Sequence, residues 1–243
     1  MPPIYKRIDQ KTFNDGNALV ENDGQYNVLS VERGALLSKD WYDDIIQMKD
    51  SYVCINNAED SKKLKVFSKD WVALNELTLP KVYHLYGTFL VAETKGMHDL
   101  TIFDSQGNEV PIPHERIRGA RICNENIAVR ANNQKFGIYD KNGNEIAPCK
   151  YDFVNCYENF SLLEIGDTLV RIDDKIIATS VDFYKVVGKD KIIIENKAGL
   201  YGLIDKEGNE ILPYVYSDIK SVGRNKNYIL AVKEGTGSLI RLN

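Results

Sequence analysis

The 243-residue chain contains no run of about 18 apolar residues, the length a membrane-crossing helix needs, so no helical membrane anchor is expected. It also has no CxxC pair. Its four cysteines, Cys54, Cys123, Cys149 and Cys156, stand singly, as free thiols of a reducing compartment do, and no disulfide is expected. Excess positive charge is missing too: 31 Lys and Arg face 35 Asp and Glu for a net charge of −4. Without a cationic field, nucleic acid and anionic membrane are disfavoured as partners. The opening residues MPPIYKRIDQ lack the apolar core of a secretory signal, which leads to the expectation of a cytoplasmic protein. No segment sustains a helical hydrophobic period. What is present is a 43% hydrophobic, 27% charged composition, enough to bury a core and too apolar for disorder.

A repeat fills the chain. TIFDSQGNEVPIPHERI (101–117), GIYDKNGNEIAPCKYDFV (137–154) and GLIDKEGNEILPYVYSDI (202–219) share an apolar strand, an Asp, a Gly-Asn-Glu turn and a proline three residues before a ring. That proline-to-ring spacing recurs as Pro2/Tyr5, Pro80/Tyr83, Pro111/His114, Pro148/Tyr151 and Pro213/Tyr216, while Tyr42 and Val181 occupy the slot without proline. The slots at 5, 42, 83, 114, 151, 181 and 216 lie about 35 residues apart on average, the period of a repeat architecture. Each unit reads as two hairpins. The first joins a strand such as YGLID to a short return strand EIL through a turn whose glycine (Gly107, Gly143 or Gly208) supplies a positive φ. The second pairs the segment after the ring slot, such as YSDIKSV, with an alternating strand such as YILAVKE; NALVEN, SYVCIN, TFLVAE, NIAVRA, FSLLEI and KIIIEN are its equivalents. The slot ring is expected to cover the junction between units, with proline at the corner beside it. His114 then stands as a core substitute for Tyr.

The fold class expected is all-β, a single repeat domain over 1–243 with units near 26–63, 64–99, 100–135, 136–168, 169–200 and 201–236. A composite seventh unit of 237–243 with 1–25 would close a seven-bladed β-propeller-like ring; an open superhelical array is the alternative.

FGIYDKNGNEIAPCKYDFV and YGLIDKEGNEILPYVYSDI are similar to the WG-repeat family, also called KWG repeats, with Phe136-Gly137 and Tyr201-Gly202 in place of Trp-Gly. The resemblance implies a β-rich bacterial repeat protein used for binding or scaffolding, with no shared catalytic residues to carry over.

Asp140-Lys-Asn142-Gly-Asn144-Glu145 has oxygen ligands like a calcium loop but ends too early to supply the bidentate Glu, so a turn is the better reading. His84, His98, His114 and the cysteines lack zinc-site spacing, and no metal or other cofactor is expected. No nucleophile elbow or glycine-rich phosphate loop occurs, and Cys149 reads as an inert, buried thiol. Lys62-Lys63-Leu64-Lys65 reads as a solvated loop running into a strand. The two tryptophans, Trp41 and Trp71, fall near unit corners, where a large ring serves either the core or a protein partner. The expected function is a non-catalytic protein-interaction scaffold, with Trp41 and Trp71 as partner-binding candidates. The alternative is a propeller-type carbohydrate-binding or hydrolytic protein with its site at one mouth of the ring.

Overall fold

The structure is a computed structural model that describes residues 5–14, 16–94, 99–223 and 227–242, with backbone alone at 9–14 and 84–86. Pro2 and His98, both named above, lie outside the described residues, as does the side chain of His84. Alternating β-branched, aromatic and polar residues fold as the 2.0 period dictates, into strands, and no helix occurs among the described residues.

Seven antiparallel sheets follow one another along the described chain. The first has strands β1 to β4 (Arg7–Asn14, Asn17–Asn22, Gln25–Ser30, Ala35–Leu36), and the second β5 to β8 (Asp44–Gln47, Ser51–Asn57, Lys62–Ser68, Ala73–Leu79). The third has β9 to β11 (Lys81–Tyr86, Phe89–Glu93, Leu100–Asp104), and the fourth β12 to β15 (Ile117–Cys123, Asn126–Ala131, Phe136–Tyr139, Glu145–Tyr151). The fifth has β16 to β19 (Phe153–Tyr157, Phe160–Ile165, Thr168–Arg171, Ile176–Ala178), and the sixth β20 to β23 (Val181–Val187, Lys191–Asn196, Tyr201–Asp205, Glu210–Tyr216). The seventh is β24 to β26 (Asp218–Val222, Tyr228–Lys233, Thr236–Arg241). Each is an up-and-down meander, the kind of small sheet from which propeller blades are made. In the third, a lone Phe103–Glu109 bridge stands where five of the sheets have a fourth strand; the seventh has three strands as well.

Both expected hairpins form, with Leu203 opposite Leu212 in one and Ile219 opposite Ala231 in the other. Their grouping differs from the sequence units. Strand β21 pairs with β22, so the second hairpin of one repeat and the first hairpin of the next make one sheet. The sheet boundaries are thus offset from the repeat boundaries. Strand β26, which contains Ser238 to Arg241, is the third strand of its own sheet beside β25, while β1 and β2 continue into β3 and β4. The reason is that the segment between repeats, Lys197 to Leu200, is itself a tight turn, with Asn196 Oδ1 accepting from the amides of Ala198 and Leu200.

The chain divides into two compact units, residues 1–121 with 141–143, and residues 122–140 with 144–243. In each, the apolar core lies between consecutive sheets. The first unit buries Leu64, Val66, Leu90 and Phe103 in one such layer and Val28, Tyr42, Tyr52 and Cys54 in another. Among the described residues, the second unit has three layers, centred on Ile138 and Tyr151, on Leu162 and Ile192, and on Leu203 and Ile229. Tyr151 and Tyr42 are fully buried at the junctions, as the slot rings were expected to be, whereas Tyr5, Tyr83 and Tyr216 are only half-buried. Pro148 and Pro213 sit inside β15 and β23, where the register shifts, a place at which a missing N–H costs little.

Turn chemistry locks the repeats. Asp205 Oδ1 accepts from the amides of Glu207 and Asn209, and the Asn209 amide side chain donates to its Oδ2; Asp104/Asn108 and Asp140/Asn144 repeat the arrangement. Gly208, at φ +85°, also lies so close to the preceding sheet that an added Cβ would come within 3.0 Å of Ile177 Cα. Farther along the second unit, Tyr151 Oη and Lys150 Nζ donate to Asp174, and Lys135 Nζ donates to Asp152.

Hydrogen bonds from Tyr151 and Lys150 hold the Asp174 carboxyl below its ordinary value, and those from Lys135 and Gly166 do the same for Asp152. At Asp205, burial pushes the carboxyl up, but the Asn209 bonds together with the Lys191 charge and the Gly208 amide leave it lowered. A carboxylate whose pKa falls on folding stabilises the native state above its unfolded value and loses that contribution as pH drops through its folded value. Thermal melts are therefore expected to hold level from pH 7 to about pH 5 and to fall steeply below about pH 4. A melting temperature unchanged down to pH 2.5 would contradict this account.

Candidate partner-binding site

Trp71 closes the turn between β7 and β8. Its amide donates to Ser68 O at 3.0 Å, Ser68 Oγ accepts from Val72 N at 3.1 Å, and Val72 O accepts from Ser68 N at 2.9 Å. This bonding holds Trp71 at φ +63°, a left-handed conformation costly for a bulky side chain. The indole then lies flat on Phe67, with ring centroids 4.5 Å apart and planes 3° from parallel, and meets the Tyr52 ring at 5.7 Å with a 52° tilt. Lys69 Nζ sits 4.5 Å from the centre of the Tyr52 ring, a cation–π contact, and Asn17 Nδ2 donates to Tyr52 Oη at 3.2 Å. One side of this stack packs on the buried layer of Val28, Tyr42, Ile45 and Cys54. The other side is open: Trp71 is only half-buried, and beside it Val72 and Leu74 are 60% and 40% exposed.

Trp41 is half-buried, and its ring lies 6.4 Å from that of Tyr5 at a 48° tilt. Of the two tryptophans, Trp71 therefore carries the larger assembled surface. Phe67, Tyr52 and Lys69 complete the stack and were not among the sequence candidates. The alternation of Lys62–Ser68 could have pointed to Phe67, whereas the backbone conformation of Trp71 has no sequence signature.

The other sequence candidates resolve as follows. Burial pushes the Cys54 thiol up to about 12, and burial also raises the half-buried Cys149 thiol, so neither is a ready nucleophile at neutral pH. Cys123 and Cys156 are joined by a disulfide, which corrects the free-thiol expectation. They lie 33 residues apart, close to one repeat period, on the leading strands of two successive sheets, which brings their Cα atoms to 5.1 Å. His114 is half-buried in its slot. Lys62 to Lys65 belong to β7, with Leu64 buried, so the basic run is strand and not loop. Among the described residues no group of three His, Cys, Asp or Glu is placed to hold a metal ion, and no helix is long and apolar enough to cross a membrane.

Sheets of this kind, repeated through the chain with cores between them, define an all-β repeat protein. Within it, residues 136–163 and 201–236 match the WG containing repeat. No curated protein matches the chain. Among solved structures, a eukaryotic initiation factor shares the fold at a TM-score of 0.50 and 13% identity, over 84% of this chain and 65% of that one. Hsv2p of Kluyveromyces lactis is similar at 11% identity and a TM-score of 0.39, over 95% of this chain and 90% of that one. The computationally designed Ika8 protein is similar at 13% identity and a TM-score of 0.36, covering 94% and 84%.

Proposed function

We propose that this WG-type repeat chain is a non-catalytic scaffold that binds another protein through the Trp71 stack. The observation that supports this most is the left-handed Trp71, held by the Ser68 turn with its indole stacked and half-open beside exposed Val72 and Leu74. Strain of this kind persists where the surroundings enforce it, and a rigid aromatic flanked by aliphatic surface is the usual anchor of a protein interface. Trp41 lies on the same unit and serves as a secondary contact. As to compartment, the Cys123–Cys156 bridge weighs toward exposure to oxidising conditions and against the reducing cytoplasm read from cysteine spacing.

The test is affinity capture from the native host with quantitative comparison of wild type, Trp71→Ala, Trp41→Ala and the double variant Val72→Glu/Leu74→Glu. The last changes only exposed positions and is expected to melt within about 2 °C of wild type. A partner captured by the wild type is expected to fall at least tenfold with both Trp71→Ala and Val72→Glu/Leu74→Glu. If folded variants keep every partner at the wild-type level, the reading is wrong.

A further inference from the structure

In the second unit a cleft of about 800 Å³ opens where several turns of the fifth, sixth and seventh sheets meet. Its walls carry four cations, Lys189, Lys191, Lys206 and Arg241, against one carboxylate, Asp190. That balance is opposite to the chain's net charge of −4. Asp190 already has a partner, since Lys191 Nζ lies 2.8 Å from its Oδ1. Lys189, Lys206 and Arg241 make no ion pair with other described residues.

The cleft is held by backbone. Lys206 N donates to Asp190 O at 2.9 Å, which ties the turn after β22 to the turn before β21, and Leu242 N donates to Asn227 O at 2.7 Å, which fixes the end of β26 that carries Arg241. Lys191 and Lys206 are half-buried, with only 18% of the Lys191 side chain exposed, so their charges are less screened than those of surface lysines. Cations gathered at one concavity, three of them without a carboxylate partner among the described residues, repel one another, a cost that an anionic ligand removes. The guanidinium offers a planar fork suited to phosphate, and the ammonium groups act as point charges around it. Asn159 and Asn227 add amides at the rim, where hydroxyl or carbonyl groups of a ligand could be met.

We propose that this cleft is a binding site for a small soluble polyanion carrying two or more phosphate groups, of about nucleotide size. The volume falls within the range of small-molecule sites, and charges from turns of successive sheets suit a ligand with several anionic groups. It is too confined for a nucleic-acid duplex, which is read by an extended basic surface. The proposal is independent of the Trp71 stack, because its residues belong to the other unit.

Isothermal titration with inorganic tripolyphosphate tests it, with wild type compared to Lys206→Gln/Arg241→Gln and, separately, Lys189→Glu. Saturable binding by the wild type is expected. The double variant should weaken it at least thirtyfold and the single variant about tenfold or more, with unchanged melting profiles, and raising NaCl from about 50 to 200 mM should weaken it severalfold. Absence of saturable binding at millimolar tripolyphosphate, or equal affinity in the wild type and folded variants, would overturn the proposal. So would equal affinity for orthophosphate, which would reduce the site to ionic screening. Sedimentation with vesicles of phosphatidylcholine containing 5% phosphatidylinositol bisphosphate forms a second arm. A chain that follows those vesicles but ignores tripolyphosphate reads a lipid surface, and the soluble-ligand assignment fails.

Discussion

Cys123→Ala/Cys156→Ala is expected to lower stability by about 4 kcal/mol and the melting temperature by about 10 °C. The bridge closes a loop of 33 residues, and in the chain-entropy picture a loop of that length restricts the unfolded ensemble by about this amount. It links β12 to β16 within the buried layer that also holds Ala128, Ile138, Tyr151 and Leu163. Ser161 Oγ lies 3.2 Å from Cys123 Sγ, so alanine is a cleaner replacement than serine, which would bring a second hydroxyl into the same buried space. Reduction of the wild type should reproduce most of the shift, because it removes the tether while leaving the sulfur atoms to pack. Thiol titration of the unfolded, unreduced protein should find the two free thiols of Cys54 and Cys149. Four titrating thiols, or a wild type indifferent to reductant, would remove the bridge from the fold.

That bridge also marks what one sequence could and could not convey. The period of the repeat was legible, and with it the hairpins, the left-handed turn glycines and the buried slot rings Tyr42 and Tyr151, because each depends on contacts within a few residues. The phase of the sheets was not. A period is unchanged by shifting its origin, and the turn at Lys197 to Leu200 between repeats is as tight as the turn within one, so local chemistry does not say which hairpins share a sheet. Once the period is known, two cysteines separated by one repeat become equivalent positions on neighbouring sheets, and their pairing could have been read from that spacing. Trp71 shows a different limit. Its position at a corner was visible, but its left-handed backbone arises from the Ser68 bonds and from stacking on Phe67 and Tyr52, which ordinary propensities argue against. The basic cleft was hidden for a third reason: Lys189 and Lys206 sit on separate turns of the sixth sheet and Arg241 ends β26 of the seventh, and only the folded sheets draw them together.

Gly137→Ala is expected to destabilise by about 3 kcal/mol, and Gly202→Ala by about 1 to 2 kcal/mol, although both glycines occupy the same place in the two matched repeats. Neither needs a positive φ, so the cause is space. The outer strand bulges identically in both sheets: Phe136 faces Tyr151 while Ile138 faces Ala147, and Tyr201 faces Tyr216 while Leu203 faces Leu212. Opposite each glycine the bulged strand lies against its Cα, and an added Cβ has nowhere to go. At Gly137 the Cβ would fall 2.8 Å from Ala147 O and 2.9 Å from Cys149 N, backbone atoms that cannot retreat without undoing the bulge around Pro148. At Gly202 the three nearest atoms all belong to the Tyr214 ring, at 2.9 to 3.0 Å, and a side chain can swing aside. The two sites should therefore differ in rescue. Tyr214→Ala in the Gly202→Ala background is expected to recover most of the penalty of the glycine change, whereas Cys149→Ala in the Gly137→Ala background should recover little, since the backbone contacts persist. Equal rescue at both sites would mean that the bulge is soft and that glycine follows the aromatic residue for some reason other than the close passage of the outer strand.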